Sequence, residues 1–270
     1  MQVTGSNLNP NKSLSIRLCT DGFSFSASSN EGADFSFIPY NINPTVSLTA
    51  NLREAVATVS ILQQDYQNIQ ILLDSPSSIV PFDRFDEEKV EALYAYNFPH
   101  RKGYTVLYNI LSKSNTTLLF ALDKNAYQYL NEIFPHARYY SVETPVIEYL
   151  TEKSKLRESQ KLYVYFHEKT IHVYIFNNGK LYFANNFTYT DLNDALYFIL
   201  QVWKVQGLNQ HTDELHLLGH LPEEEKTRKE LHRFIQHVYQ NNPVAEFELS
   251  PEESKLQIPY DLQILIHHGI

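Results

Sequence analysis

Eleven histidines, one cysteine and several acidic runs are the residues of this 270-residue chain whose types could do chemistry. Seven of the histidines, His211, His216, His220, His232, His237, His267 and His268, fall in the last third, where a metal site would find its ligands. Their spacing argues against one. His216 and His220 sit on or just beyond an alternating run read as a strand, where four residues span about 13 Å, too far for two ligands of one zinc. His232 and His237 read as helical and, five apart, point about 140° away from each other. We therefore expect solvent-facing or structural histidines and no bound metal. Cys19 falls on a predicted strand with no nucleophile signature around it and reads as a small buried hydrophobe. No G-x-S-x-G serine elbow, G-x-x-x-x-G-K-[ST] loop or G-x-G-x-x-G fingerprint occurs. The acidic runs DRFDEEKVEA and EEEKTRKE read as solvated helix starts, where carboxylates meet the positive end of the helix dipole.

Composition narrows the partners. A formal net charge of -9 gives no basic field to gather phosphates, so neither nucleic acid nor an anionic membrane surface is an expected partner. The apolar runs TTLLFAL and LQILI are far short of the roughly 20 residues that cross a bilayer, so no membrane insertion is expected. A single cysteine excludes an internal disulfide framework, and MQVTGSNLNPNKS lacks the apolar core of a signal peptide, which together imply a cytoplasmic protein. Hydrophobic residues make up 43% of the chain, ample for a packed core.

The elements that would position any site repeat. Residues 1–12 are polar and read as a flexible tail. Leu14, Ile16 and Leu18 then alternate with Ser15, Arg17 and Cys19, Asp21-Gly22 turns the chain into FSFS, and a third strand follows from Asp34 to Ile38. Leu48, Leu52, Ala55, Val56, Val59 and Leu62 fall at helical spacing, and NIQILLD reads as a buried strand. The second half runs in the same order: LYVYFHE, TIHVYIF, the turn Asn178-Gly179, LYFANNF, a helix over TDLNDALYFILQVWKVQ capped by Thr190 or Asp191, and the strand ELHLLGH. Each half is β-β-β-α-β, as an internal duplication would produce. Between them Asp86 and Asp123 stand at helix N-caps. The reading is an α/β protein with a first half over 13–145, carrying an inserted α/β unit near 82–140, and a second half over 146–270. In LYVYFH, alternation places Leu162, Val164 and Phe166 on one sheet face and Tyr163, Tyr165 and His167 on the other, the latter read as filling core and cleft or, as the alternative, as an exposed platform for a protein partner.

A duplicated β-β-β-α-β unit with an insertion in its first half resembles the actin, sugar kinase and heat-shock-protein ATPase superfamily, whose halves are RNase H-like with mixed sheets. TTLLFALDKNAYQYLNEIFPHARYYSVETPVIEYL looks like the equivalent stretch of the pilus-assembly and cell-division branch. From about Ser13 to its end the chain is similar to a bacterial family of unknown function built on a divergent version of this fold.

The resemblance assigns roles to positions. The first hairpin of each half normally carries Asp-x-Gly, a carboxylate for the magnesium water shell and a glycine for close phosphate approach. In LSIRLCTDG these positions fall on Arg17 and Cys19, and in LYVYFHEKT on Tyr165 and His167. The adenosine-contacting Gly-Gly corresponds to Gly219 and His220. Arginine reverses the charge beside the metal, and tyrosine and histidine fill phosphate space. Only 8 glycines occur, about 3% against the usual roughly 7%. The expected protein binds no cofactor and is a catalytically inactive scaffold or adaptor for another bacterial protein, with Arg17, Cys19, Tyr165 and His167 converging on an interlobe cleft. The alternative is a ligand-binding or enzymatic protein using that cleft, for instance an anion site at Arg17 and His167, with ATP hydrolysis or phosphotransfer ranked below it.

Overall fold

The computed structural model describes residues 12–20, 22–29, 35–99, 102–156 and 159–270. Residues 1–11 of the expected tail, Asp21 of the expected turn and Asp34 of the expected third strand lie outside them; Lys12 opens the first strand. Two compact units result, one of Met1–Ile110 with Thr116–Thr144, the other of Leu111–Asn115 with Pro145–Ile270.

The first unit begins with β1 (Lys12–Leu18), β2 (Phe23–Ser29) and β3 (Phe35–Tyr40), followed by α1 (Leu48–Thr58) and β4 (Asn68–Leu73). Antiparallel β1-β2-β3 pairing brings Ile16 opposite Phe25 and Phe25 opposite Ile38, and β4 joins β1 in parallel. Alternation thus sends Leu14, Ile16, Phe25 and Ile71 into one core with Leu52 and Ala55 of α1. The chain then builds β5 (Ser78–Pro81), α2 (Val90–Asn97), β6 (Tyr104–Leu111) and β7 (Thr116–Asp123), a small sheet of order β5-β7-β6. Tyr94, Leu119 and Ala121 form its core with Phe85, Val106 and Tyr108. Asp123 caps α3 (Lys124–Ile133), accepting from the N–H groups of Asn125 and Ala126 at 3.0 Å. Asp86 accepts from Glu88 N–H ahead of α2. The stretch expected as an inserted unit divides here. Residues 78–123 make the small sheet and α2, whereas α3 and β8 (Arg138–Ser141) return to the first sheet, because Ala126 and Leu130 pack on the Ile16 core and β8 pairs with β4.

Four residues long, β8 leaves an outer edge of backbone groups. Asn109 of β6 covers it: its carboxamide oxygen accepts from Ser141 N–H at 3.1 Å and its NH2 donates to Tyr139 C=O at 2.9 Å, as a peptide group of an added strand would. Thr144 Oγ1 donates to the same oxygen at 2.6 Å.

After α4 (Glu143–Lys153), the second unit contains β9 (Lys161–His167), β10 (Thr170–Asn177), β11 (Lys180–Thr188), α5 (Leu192–Val205), β12 (Glu214–Gly219), α6 (Glu224–His232), β13 (His237–Gln240), α7 (Pro243–Glu246) and α8 (Tyr260–His268). Its sheet order, β11-β10-β9-β12-β13, matches the first sheet's β3-β2-β1-β4-β8 strand for strand. Asn178 (φ 48°) and Gly179 (φ 78°) turn the β10-β11 hairpin with both central residues left-handed, the geometry Asn-Gly favours. Leu162, Val164 and Phe166 meet Ala195, Ile199 and Trp203 of α5, and Asp191, not Thr190, is the cap of that helix. One reading needs correction: His232 and His237 do not share a helix. His232 ends α6 and His237 opens β13, a four-residue strand whose apolar content is too small for periodicity to separate from helix.

Candidate functional site

The positions singled out in the sequence lie in separate units: Arg17 and Cys19 in the first, Tyr165, His167, Gly219 and His220 in the second. Arg17 stands on β1 between Ser24 of β2 and Leu72 of β4, only 5% exposed. Cys19, also buried, donates its N–H to Gly22 C=O at 3.0 Å, closing the β1-β2 turn.

In the second unit Tyr165 is 2% exposed, and its ring neighbours are His167 at 5.6 Å, His172 at 6.0 Å and Tyr260 of α8 at 5.8 Å. Gly219 closes the same packing unit. Its φ is +80°, and a Cβ there would stand 2.4 Å from Phe166 O and 2.8 Å from a Tyr165 ring carbon. Glycine is thus required both by backbone conformation and by the approach of β9. The tyrosine ring occupies the room beside the retained glycine, while His220 is exposed beyond the strand. Since Tyr163 is also 1% exposed, both faces of β9 are core, the second one aromatic.

Three of the histidines weighed as metal ligands have other engagements. His216 stacks on Tyr163 at 4.8 Å with Nε2 2.9 Å from Glu214, His267 stacks on Phe247 at 5.4 Å, and His268 on Tyr149 at 4.8 Å. Burial holds His216 below the usual imidazole range, with Glu214 partly opposing.

Two polar constellations escaped sequence reasoning. In the second unit, Glu246 accepts from Tyr149 Oη at 2.9 Å, Tyr260 Oη at 3.1 Å, Asn241 Nδ2 at 3.2 Å and Lys153 Nζ. Burial alone would raise its pKa, but these donors, Lys153 first, outweigh it and hold the carboxyl below its ordinary value. Burial, with Glu246 adding, pushes Tyr149 and Tyr260 well above the usual phenol range.

In the first unit a cavity of about 650 Å³ opens at the C-terminal ends of β1, β4 and β7, with Leu18, Leu73 and Leu122 among its walls and Asp74, Asp123 and the Asn43–Ser47 loop contributing polar groups. Such strand ends are where open α/β sheets place ligands. Asn51, 3% exposed on the core-facing stripe of α1, fixes that loop. Its Nδ2 donates to Asn43 C=O at 3.0 Å and Ser47 C=O at 3.2 Å, and its Oδ1 accepts from Asn43 N–H at 2.7 Å. A polar residue at i+3 from Leu48 on an apolar stripe was the one signal in the sequence. Among the described residues neither lysine nor arginine lines the cavity. The described walls suit amide, hydroxyl or cationic groups over an apolar floor.

Two mixed five-stranded sheets of one strand order, each opening on a hairpin, define a protein of the actin-like ATPase fold. Solved structures agree. A Bacteroides thetaiotaomicron protein with actin-like ATPase fold and unknown function is 36% identical, with 95% of this chain and 96% of that one covered at a TM-score of 0.84. The PilM-PilN type IV pilus biogenesis complex contributes a chain that shares the fold at 12% identity and a TM-score of 0.59, with 95% and 97% covered. The chain belongs to the family described as protein of unknown function (DUF3822), whose model matches residues 6–238. Comparison with curated proteins gives no match. Among the described residues no helix is long and apolar enough to cross a membrane.

Proposed function

We propose that this protein is an adaptor on the actin-like fold that does no ATP chemistry and holds a segment of a protein partner in the cavity of its first unit. The observation that carries the reading is the Tyr165 ring lying on Gly219. In the superfamily resemblance the Tyr165 position belongs to a magnesium-organising carboxylate; here an apolar ring is packed there, and Arg17 stands at the matching position of the first hairpin. A neutral phenol and a guanidinium cannot take over a carboxylate's part in holding a magnesium water shell. The cavity supports the binding half of the reading. Its volume falls in the range that takes a ligand or a few side chains, and the loop held by Asn51 presents amide and hydroxyl groups. The PilM-PilN neighbour, itself a complex of two proteins, is in keeping with a partner-binding role.

Quantitative capture from native cells tests this with Val46→Arg, a substitution at a cavity-lining residue that is 43% exposed and so leaves the core intact. A partner recovered by the unaltered chain should fall by about tenfold or more, the equivalent of 1.4 kcal/mol. Equal recovery would remove the cavity from the reading, and the lack of any specific partner would remove the adaptor role.

A further inference from the structure

The outer strands of the three sheets are not alike. Pro39 lies in β3; β5 has four residues and ends at Pro81; β8 and β13 also have four, and β8 is covered by Asn109. In β11 the register shifts where it meets Ile175 and Phe176 of β10, and the strand opens on Lys180. These are the usual means of keeping an edge from pairing with another chain. The remaining outer strand, β6, is neither short nor charged nor interrupted by proline. It runs eight residues, YTVLYNIL.

We propose that β6 pairs antiparallel with β6 of a second copy of this chain, joining two three-stranded sheets into one. The occupant is chosen by the strand's own symmetry. Residues facing each other in an antiparallel pair lie on the same face, so a two-fold axis must pass through one residue position. Tyr104 and Ile110 are the strand's two exposed large apolar side chains, at 41% and 52%, and they share a face with Val106 and Tyr108. Their midpoint is Leu107. An axis there puts Tyr104 of each copy opposite Ile110 of the other and Val106 opposite Tyr108, both aromatic against β-branched pairs, which are favourable across strands. Shifting the axis by one residue, to position 106 or 108, separates the two exposed side chains and shortens the overlap. The strand itself carries no charge, so no charged residues of the two β6 strands face each other; Glu87, which accepts from Tyr108 Oη at 2.7 Å, is an acidic group beside that face. Leu107 and Asn109, on the other face, keep their contacts with the first core and with β8.

Analytical ultracentrifugation of the full chain from about 5 μM to about 500 μM should show mass rising from 31.4 kDa toward twice that value. Ile110→Lys, at an exposed position outside the cavity, should weaken association by about tenfold or more. The Y104C/I110C double substitution should give an oxidised covalent dimer, since directly opposed residues have Cα atoms about 4.5–5.5 Å apart, within disulfide reach. Neither single cysteine variant should, because like positions then lie about 20 Å apart. The native Cys19 is buried, and the unaltered chain is the control. A monomer throughout, a dimer that Ile110→Lys leaves intact, a cross-link formed equally by the single variants, or none from the double variant would each overturn the proposal. The measurement uses the isolated chain; Tyr104 also lines the cavity and Ile110 does not, so Ile110→Lys separates association from any adaptor role.

Discussion

Replacing Tyr165 with glycine is expected to destabilise the second unit by about 4–6 kcal/mol, the sum of truncating a buried aromatic ring and placing glycine inside a strand. The ring is 2% exposed and touches His167, His172, Tyr260 and the Gly219 position, so its removal opens a cavity among side chains fixed by four elements. Trp203, the chain's one tryptophan, is buried in the same unit, and its fluorescence through denaturant unfolding reads the loss directly. Tyr165→Phe, which keeps the ring, should shift the midpoint far less. Unfolding unchanged in the glycine variant would mean that the space is kept for a ligand and that the ring merely visits it.

Glu246→Ala should cost about 2–4 kcal/mol at neutral pH, because it strands two phenols and an amide in a buried setting and leaves Lys153 without its counter-charge. The figure is held below that of a fully buried pair since the Lys153 side chain is 32% exposed. The pH dependence has a definite sign. The folded-state pKa of Glu246 is depressed, so its contribution is complete above the ordinary carboxylate pKa of about 4.5 and is lost as pH falls through the lower folded value. His216 adds an earlier loss, beginning as pH falls below about 6.5, because its neutral form is favoured in the fold. Glu246→Gln should therefore retain the decline near pH 6 and flatten the one below pH 4.5 when Trp203 unfolding is followed across pH. Identical acid profiles for the two proteins would show that the carboxylate carries no such linkage.

What could be read from the sequence was local. Alternation about Asn178-Gly179 and the capping positions of Asp86, Asp123 and Asp191 announced hairpins and helix starts through chemistry confined to a few neighbours. The strand-for-strand match of the two sheets follows from those pieces, since connections of such length leave few topologies. The sites were less legible because each is assembled from distant segments. Glu246 gathers Tyr149, Lys153, Asn241 and Tyr260 from α4, α8 and the segment between β13 and α7. The cavity of the first unit takes its walls from β1, β4, β7 and α1. Alternation in β9 correctly separated two faces, yet could not tell that α8 would bring Tyr260 against the tyrosine face. Gly219 could pass for a strand-end turn; only the approach of Phe166 O and the Tyr165 ring shows why no other residue fits.

Whether a nucleotide site survives is the question on which the adaptor reading turns, and calorimetric titration of the full chain with ATP and magnesium answers it most directly. With Arg17 and Tyr165 where the superfamily resemblance calls for carboxylates, no saturable heat should appear up to about 1 mM ATP. A low-micromolar dissociation constant, abolished by Arg17→Ala or His167→Ala, would contradict it and make the protein a nucleotide-binding member of its fold.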